Sequence, residues 1–218
     1  MSYAVMRIMK IKGDISGLGK HIDRASNGET VSPKNANPDE VDNNIHWDEN
    51  GNSYNQREWT EYTKNNPLQT RINNNIKERY KLDKRIRKDA VKAIELIFSS
   101  DHEKMNEIFS KEEQYKSWIS DNKEFVIEHF GCNENIISMH LHADETTYHM
   151  EVVVTPITKD GRLSAKSFID GKKDLVKMQT SYAERMEKHG MKRGEKGSSA
   201  RHQKPNTLKK TNYEHYRN

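Results

Sequence analysis

Met139-His-Leu-His-Ala-Asp-Glu-Thr-Thr-Tyr-His-Met-Glu151 sets three histidines and three carboxylates within the twelve residues from His140 to Glu151. Alternate side chains of a strand share a face and stand about 6.6 Å apart along it. The pattern therefore predicts two strands, Asn135 to His142 and His149 to Pro156, joined by a turn over Ala143 to Tyr148. His140 and His142 share a face near the end of the first, and His149 and Glu151 share a face at the start of the second. Pairing the two as a hairpin lets all four groups converge. Imidazole and carboxylate together suit Mn²⁺, Zn²⁺, Ni²⁺ or Mg²⁺, with positions left open for substrate. The intervening Ile137, Met139, Leu141, Met150, Val152 and Val154 are apolar and would pack the opposite face against helices. A lone histidine pair is more often a polar surface turn. The density of donors here argues for a metal site, in which His140 is the weakest member.

Outward from this hairpin, Tyr3 to Ile11 alternates as a strand, and glycines at 13, 17 and 19 then break regular structure. His21 follows in Gly-Lys-His-Ile-Asp-Arg; on its own it reads as a polar residue at a helix start. Ala25 to Gln56 is rich in Asn, Asp, Ser, Gly and Pro, and reads as a long solvated loop, functional or ordered by a partner. Gln56 to Lys81 is helical, with Trp59, Tyr62, Ile72, Ile76 and Tyr80 at helical spacings. A basic run, Lys84 to Lys92, leads into a strand at Ala93 to Phe98. Helices are predicted over Asp101 to Phe130 and Asp170 to His189, with a turn at Asp160-Gly161 between them. The fold class is α+β: a central antiparallel sheet of about five strands flanked by helices, with the metal at the sheet's centre. Residues 1–190 form one domain that includes the 25–56 loop. Residues 191–218 form a basic extension, partly disordered or helical.

The bulk composition sets limits. Apolar residues make up only 32% of the 218, so long polar segments lie outside the core. A net charge of +4 is mild, and the clustering of basic residues says more about nucleic acid than the total does. The single cysteine, Cys132, excludes an internal disulfide and a multi-cysteine zinc site. No secretory signal is present, and no stretch approaches the roughly 18 apolar residues of a membrane span. A soluble protein of a reducing, cytoplasmic compartment is expected.

The hairpin also resembles the HUH endonucleases, and most closely the MobV family of plasmid-mobilisation relaxases. That family's third motif reads His-x-Asp-Glu, a few residues, then Pro-His-x-His. Here it reads His142-Ala-Asp144-Glu145, then Tyr148-His149-Met150-Glu151. Tyr148 replaces the proline, and Glu151 stands where the third histidine is usual, which shifts metal preference towards harder ions. Lys20-His21-Ile22-Asp23-Arg24 is similar to the second motif, His-x-x-Arg. The opening strand, Arg85-Ile86-Arg87-Lys88-Asp89-Ala90-Val91, Gly161 to Lys166, and Gly197-Ser198 with His202 also match, so the likeness runs from residue 1 to about 205.

The resemblance implies a DNA nickase of a plasmid or mobile-element transfer origin, in a bacterial cytoplasm. His142, His149 and Glu151 would hold Mn²⁺ or Mg²⁺, with Zn²⁺ or Ni²⁺ as substitutes in vitro; His140 and Asp144 would stand behind them. His21 would be the nucleophile, joined covalently to the 5′ phosphate. Glu145 would orient it, take its proton or support the metal, and Arg24 would contact a phosphate. Lys20, Arg85, Arg87, Lys88 and Lys166 would bind DNA, helped by the basic tail from Lys192 to Lys210 and by Trp47 stacking on a base. The coupling protein of a transfer machinery is the implied protein partner. The rivals are a rolling-circle initiator or transposase using Tyr54 or Tyr62, a non-catalytic DNA-binding regulator with a structural metal, and a hydrolase of small phosphates.

Overall fold

The strands predicted on either side of Ala143–Tyr148 form, and they lie in the interior of a six-stranded sheet. The computed structural model describes residues 1–13 and 15–195. Ser2–Tyr3 (β1) and Val5–Lys12 (β2) precede a helix at Ser16–Asp23 (α1). A small hairpin follows, Ala25–Ser26 (β3) and Glu29–Thr30 (β4), then a 3-10 helix at Pro38–Asn43 and the strands Ile45–Trp47 (β5) and Ser53–Asn55 (β6). Helices Gln56–Asn65 (α2) and Leu68–Arg79 (α3) lead to the long strand Val91–Ser99 (β7). His102–Phe109 (α4) and Glu112–Phe130 (α5) precede Ile136–His142 (β8) and His149–Val154 (β9). Gly171–Met186 (α6) and Met191–Lys192 (β10) complete the described chain.

The sheet runs β2-β7-β9-β8-β5-β6, each neighbouring pair antiparallel. It has six strands rather than about five because 25–56 is not one solvated loop. That segment holds a hairpin, a 3-10 helix and the two outer strands β5 and β6. Its polar residues are tied down by hydrogen bonds instead of an apolar stripe, which composition does not reveal. Just past residue 190, β10 pairs in parallel with β1, and Met191 is buried in the main core. The rest of the predicted extension, with Gly197, Ser198 and His202, lies outside the described residues.

Each face of the sheet carries its own core. Ile94, Leu96 and Phe98 of β7, Met139 and Leu141 of β8, and Met150, Val152 and Val154 of β9 pack against α5 and α6. The other face sets Ala93, Ile137 and Val153 against Ile15 and Ile22 of α1 and Leu68, Ile72 and Ile76 of α3. Ile137 was expected beside Met139; a bulge between Ile136 and Ser138 turns it to the α1 side. Covered on both faces, β8 is buried at all seven positions.

Local signals account for the helix ends. Asn55 and Glu58 make a reciprocal capping box for α2. The predicted helix over 56–81 divides at Asn66-Pro67, since proline disfavours helical backbone in the residue before it. Helix α1 runs through Gly17 and Gly19, where a break was expected. A Cβ on Gly19 would sit 3.4 Å from the Leu68 Cβ, so glycine there lets α1 lie close against α3.

Candidate metal centre

In the register of the hairpin His142 lies opposite His149, and His140 opposite Glu151. His142, His149 and Glu151 offer one ligand atom each within 4.8 Å of one another. His142 Nδ1 is 3.2 Å from His149 Nε2, and Glu151 Oε1 is 3.8 Å from the former and 3.6 Å from the latter. The outer nitrogens fix the tautomers. His142 Nε2 donates to the Ile22 carbonyl at 3.0 Å, and His149 Nδ1 donates to the Thr147 carbonyl at 3.0 Å. With both rings neutral, as metal binding requires, both inner nitrogens present lone pairs to one small space, facing a carboxylate whose Oε2 is buried without a hydrogen-bond partner. Lone pairs so arranged repel one another unless a cation lies between them, and backbone carbonyls behind ligand histidines are the usual means of fixing such rings. The donor set of two nitrogens and one oxygen fits a divalent transition ion.

Charge reinforces this geometry. Burial pushes His142 well below its ordinary pKa. Burial alone would raise Glu151, but His142, His149 and His21 hold it well below the usual carboxylate range. Burial lowers His149, and the Glu151 carboxylate more than reverses that.

His21 lies in the last turn of α1, not at a helix start, and its Nε2 is 3.6 Å from Glu151 Oε1. Its side chain is 42% exposed, whereas Glu151 and His142 are buried. The Glu151 carboxylate raises its pKa, against burial and the positive charge of Arg24. Arg24 was expected to face a phosphate, but it is fully buried at a left-handed φ of 48°. Its guanidinium bonds Asp144 at 2.8 and 3.1 Å and Glu145 at 2.7 Å, and Nη1 lies 3.4 Å from His21 Nδ1. Asn35 takes the other oxygen of Glu145 at 2.6 Å, so Glu145 stands outside the trio. Asp144 supports Arg24, and His140 bonds His46 and Ser138 instead of joining the ligands.

The tyrosines are placed otherwise. Tyr54 donates to Asp48 at 3.0 Å and Tyr62 to Glu49 at 3.2 Å, and burial together with those carboxylates raises both phenols. Trp47 packs against the main core. Arg85 and Arg87 line a basic groove with Lys10, Lys12, Lys84 and Lys166, and Lys88 is exposed close by. This groove lies at the start of β7, where Val91 pairs Lys12, while Glu151 pairs Ile97 six residues on, about 20 Å along the strand. Lys20, exposed on α1 beside His21, is not among the groove's residues.

Three residues of the site were not foreseen. His46 and Gln56 belonged to the presumed loop and are fully buried. Glu95 was read only as part of a strand; it is 2% exposed, and burial and then Glu151 push its pKa up to about 8. A single acid inside an apolar strand was the signal for Glu95.

The family model described as Mob_Pre, plasmid recombination enzyme, matches residues 1–210. Plasmid recombination enzyme type 3 of Staphylococcus aureus is 30% identical over 222 residues, covering 98% of this chain and 49% of that protein. The plasmid recombination enzyme of Streptococcus agalactiae is 32% identical over 207 residues, 93% of this chain and 38% of its own length. The chain thus spans half or less of these relatives' length. Among solved structures, the manganese-bound MobM relaxase domain in complex with plasmid pMV158 oriT DNA superposes with a TM-score of 0.78 at 29% identity, covering 96% of this chain and 98% of that one. In the described part of this chain no helix is long and apolar enough to cross a membrane.

Proposed function

The chain belongs to the plasmid recombination enzyme family, and on that premise we propose that it nicks one strand of DNA at a transfer origin in the bacterial cytoplasm, keeping the cut 5′ end on His21. The observation that carries this reading is His21, whose side chain is partly open to solvent and whose Nε2 lies 3.6 Å from the carboxylate of the buried His142–His149–Glu151 cluster. A nucleophile beside a cation site is what phosphoryl transfer to protein requires.

A divalent cation held by His142, His149 and Glu151 would supply positive charge to the non-bridging phosphate oxygens as the transition state forms. The chain's own residues do the rest. The neutral His21 ring attacks phosphorus through Nε2. As the N–P bond forms, the P–O3′ bond breaks, its electron pair leaves with the 3′ oxygen, and that oxygen takes a proton. The attacking tautomer carries its remaining proton on Nδ1, so the 3.4 Å contact with Arg24 Nη1, a donor only, must open before that proton passes to solvent. The N–P bond conserves the energy of the phosphodiester, so the ends remain joinable. Arg24 orients His21 and is itself fixed by Asp144 and Glu145. The groove at Arg85, Arg87 and Lys166, with Lys88 and Lys20, would grip phosphates of the flanking DNA, and a coupling protein would receive the adduct. MobM, solved with manganese and oriT DNA, supports the choice of metal and substrate.

The test uses supercoiled plasmid carrying the candidate origin, with Mn²⁺. Wild type should yield open circles bearing protein on a 5′ end, and His21→Ala and His142→Ala should yield neither. An adduct that persists in His21→Ala would transfer the nucleophile to a tyrosine. Tight origin binding without a nick under any divalent metal would leave a regulator.

A further inference from the structure

A helix leaves its last four carbonyls without partners inside the helix. At the end of α1 these belong to His21, Ile22, Asp23 and Arg24, and side chains take all four. Arg24 Nη1 donates to the His21 carbonyl, and His142 Nε2 to that of Ile22. Gln56 Nε2 donates to those of Asp23 and Arg24 at 3.1 and 3.3 Å, and the Arg24 carbonyl also accepts from the Val31 amide at 2.7 Å. With its amide nitrogen so committed, Gln56 presents Oε1 to His46 Nε2 at 3.0 Å, and His46 must donate there. His46 Nδ1 then holds a lone pair, and it faces His140 Nδ1 at 2.8 Å. Two lone pairs cannot face each other at that distance, so His140 Nδ1 is the donor and its Nε2 accepts from the Ser138 hydroxyl at 2.8 Å. The direction of every bond is fixed. Gln56, His46, His140 and Ser138 are all fully buried.

Resting on the nickase reading, we propose that His46 and His140 are positioning residues: their hydrogen-bond chain sets the end of α1, and with it His21, against the metal-bearing strand β8. The chain starts at Ser138, four residues before the ligand His142, and ends two residues after His21. His46 also stacks on Trp59 at 5.2 Å and 4°, and Trp59 Nε1 bonds Asp23 at 3.1 Å, so the helix end is gripped twice. A fully satisfied buried network specifies one arrangement, and misplacing a nucleophile by about 1 Å can cost 10²-fold in rate.

His140→Phe cuts the chain at its middle and Gln56→Met at its end. In histidine-labelled protein with Mg²⁺, the His21 ring resonances, identified by their loss in His21→Ala, should shift or split in both variants. The Mn²⁺ Kd should stay within about threefold, while kcat for nicking falls about 10- to 100-fold with KM for DNA unchanged. Ser138→Ala, a small change at the far end, should show the same pattern more weakly, and it serves if a larger variant fails to fold. Unchanged His21 resonances overturn the proposal, as does a kcat loss matched by equal losses of metal affinity and folded stability. If wild type itself never nicks, the nickase reading fails, and the His21 resonances still decide whether the chain positions that ring.

Discussion

His46 lies at the centre of the chain of bonds from β8 to α1, and burial drives its pKa down to about 3. In the unfolded chain the same imidazole protonates near 6.5. The native state therefore refuses a proton that the unfolded state accepts, and stability is complete above pH 6.5 and falls as pH drops from there towards 3. At pH 4.5 the loss from this residue alone is about 3 kcal/mol. Urea midpoints of the metal-free protein between pH 7 and 4.5 should decline accordingly, and His46→Gln should flatten the decline; equal slopes in both proteins would show that His46 is not the group taking up the proton. Nothing in Ile45-His46-Trp47 distinguishes this histidine from an exposed one, because its burial is created by Trp59 and Gln56 arriving from α2. His142, His149 and Glu151 were legible for the opposite reason: the i,i+2 spacing of His149 and Glu151 and the turn back to His142 carry their own geometry. The partners of Arg24 were not legible, since its carboxylates lie 120 and 121 residues away.

At the scale of elements, β8, β9 and the long helices were legible because each has a regular apolar period, whereas β5 and β6 have three residues each and were not. Strands that short contain less than two repeats of the alternation and are recognised only once β8 is beside β5. The Asp160-Gly161 turn lies between these extremes: composition located it, and the structure shows what it holds. Gly161 has φ +82°, its carbonyl accepts from the Lys81 amide at 3.0 Å, and a Cβ there would stand 2.6 Å from the Lys81 Cβ. Rotating the lysine cannot relieve that overlap, because its Cβ is fixed to the backbone. Gly161→Ala should therefore cost about 1–3 kcal/mol through the left-handed backbone and the displaced 80–81 segment. Urea unfolding measures the loss, and Mn²⁺ affinity should not change because the metal cluster lies elsewhere on the sheet. A variant as stable as wild type would mean that the turn does not brace the loop carrying Arg85 and Arg87.

Across the whole molecule, two chemistries occupy separate ends of one rigid sheet. The candidate metal cluster and His21 lie near Ile97, and the basic groove lies about 20 Å away near Val91. A net charge of only +4 gives no strong overall field, so the proposed DNA binding would draw its affinity from local phosphate contacts. Each phosphate neutralised on duplex contributes about 0.9 to the slope of log K against log salt. Removing three cations with Arg85→Ala, Arg87→Ala and Lys88→Ala together should lower that slope by about 2 to 3 if all three touch the backbone. At about 3.4 Å per base pair, 20 Å of duplex spans about six pairs. The lost contacts should therefore map about six nucleotides from the scissile phosphate in an ethylation-interference experiment. Mn²⁺ affinity and His21 should be unaffected, since neither shares a residue with the groove. A slope that stays at the wild-type value would assign DNA binding to Lys20 and the neighbourhood of α1. A slope that falls with no change in the interference pattern would mean that the groove attracts DNA without setting its register, leaving alignment of the scissile phosphate to the metal cluster and the helix end beside it.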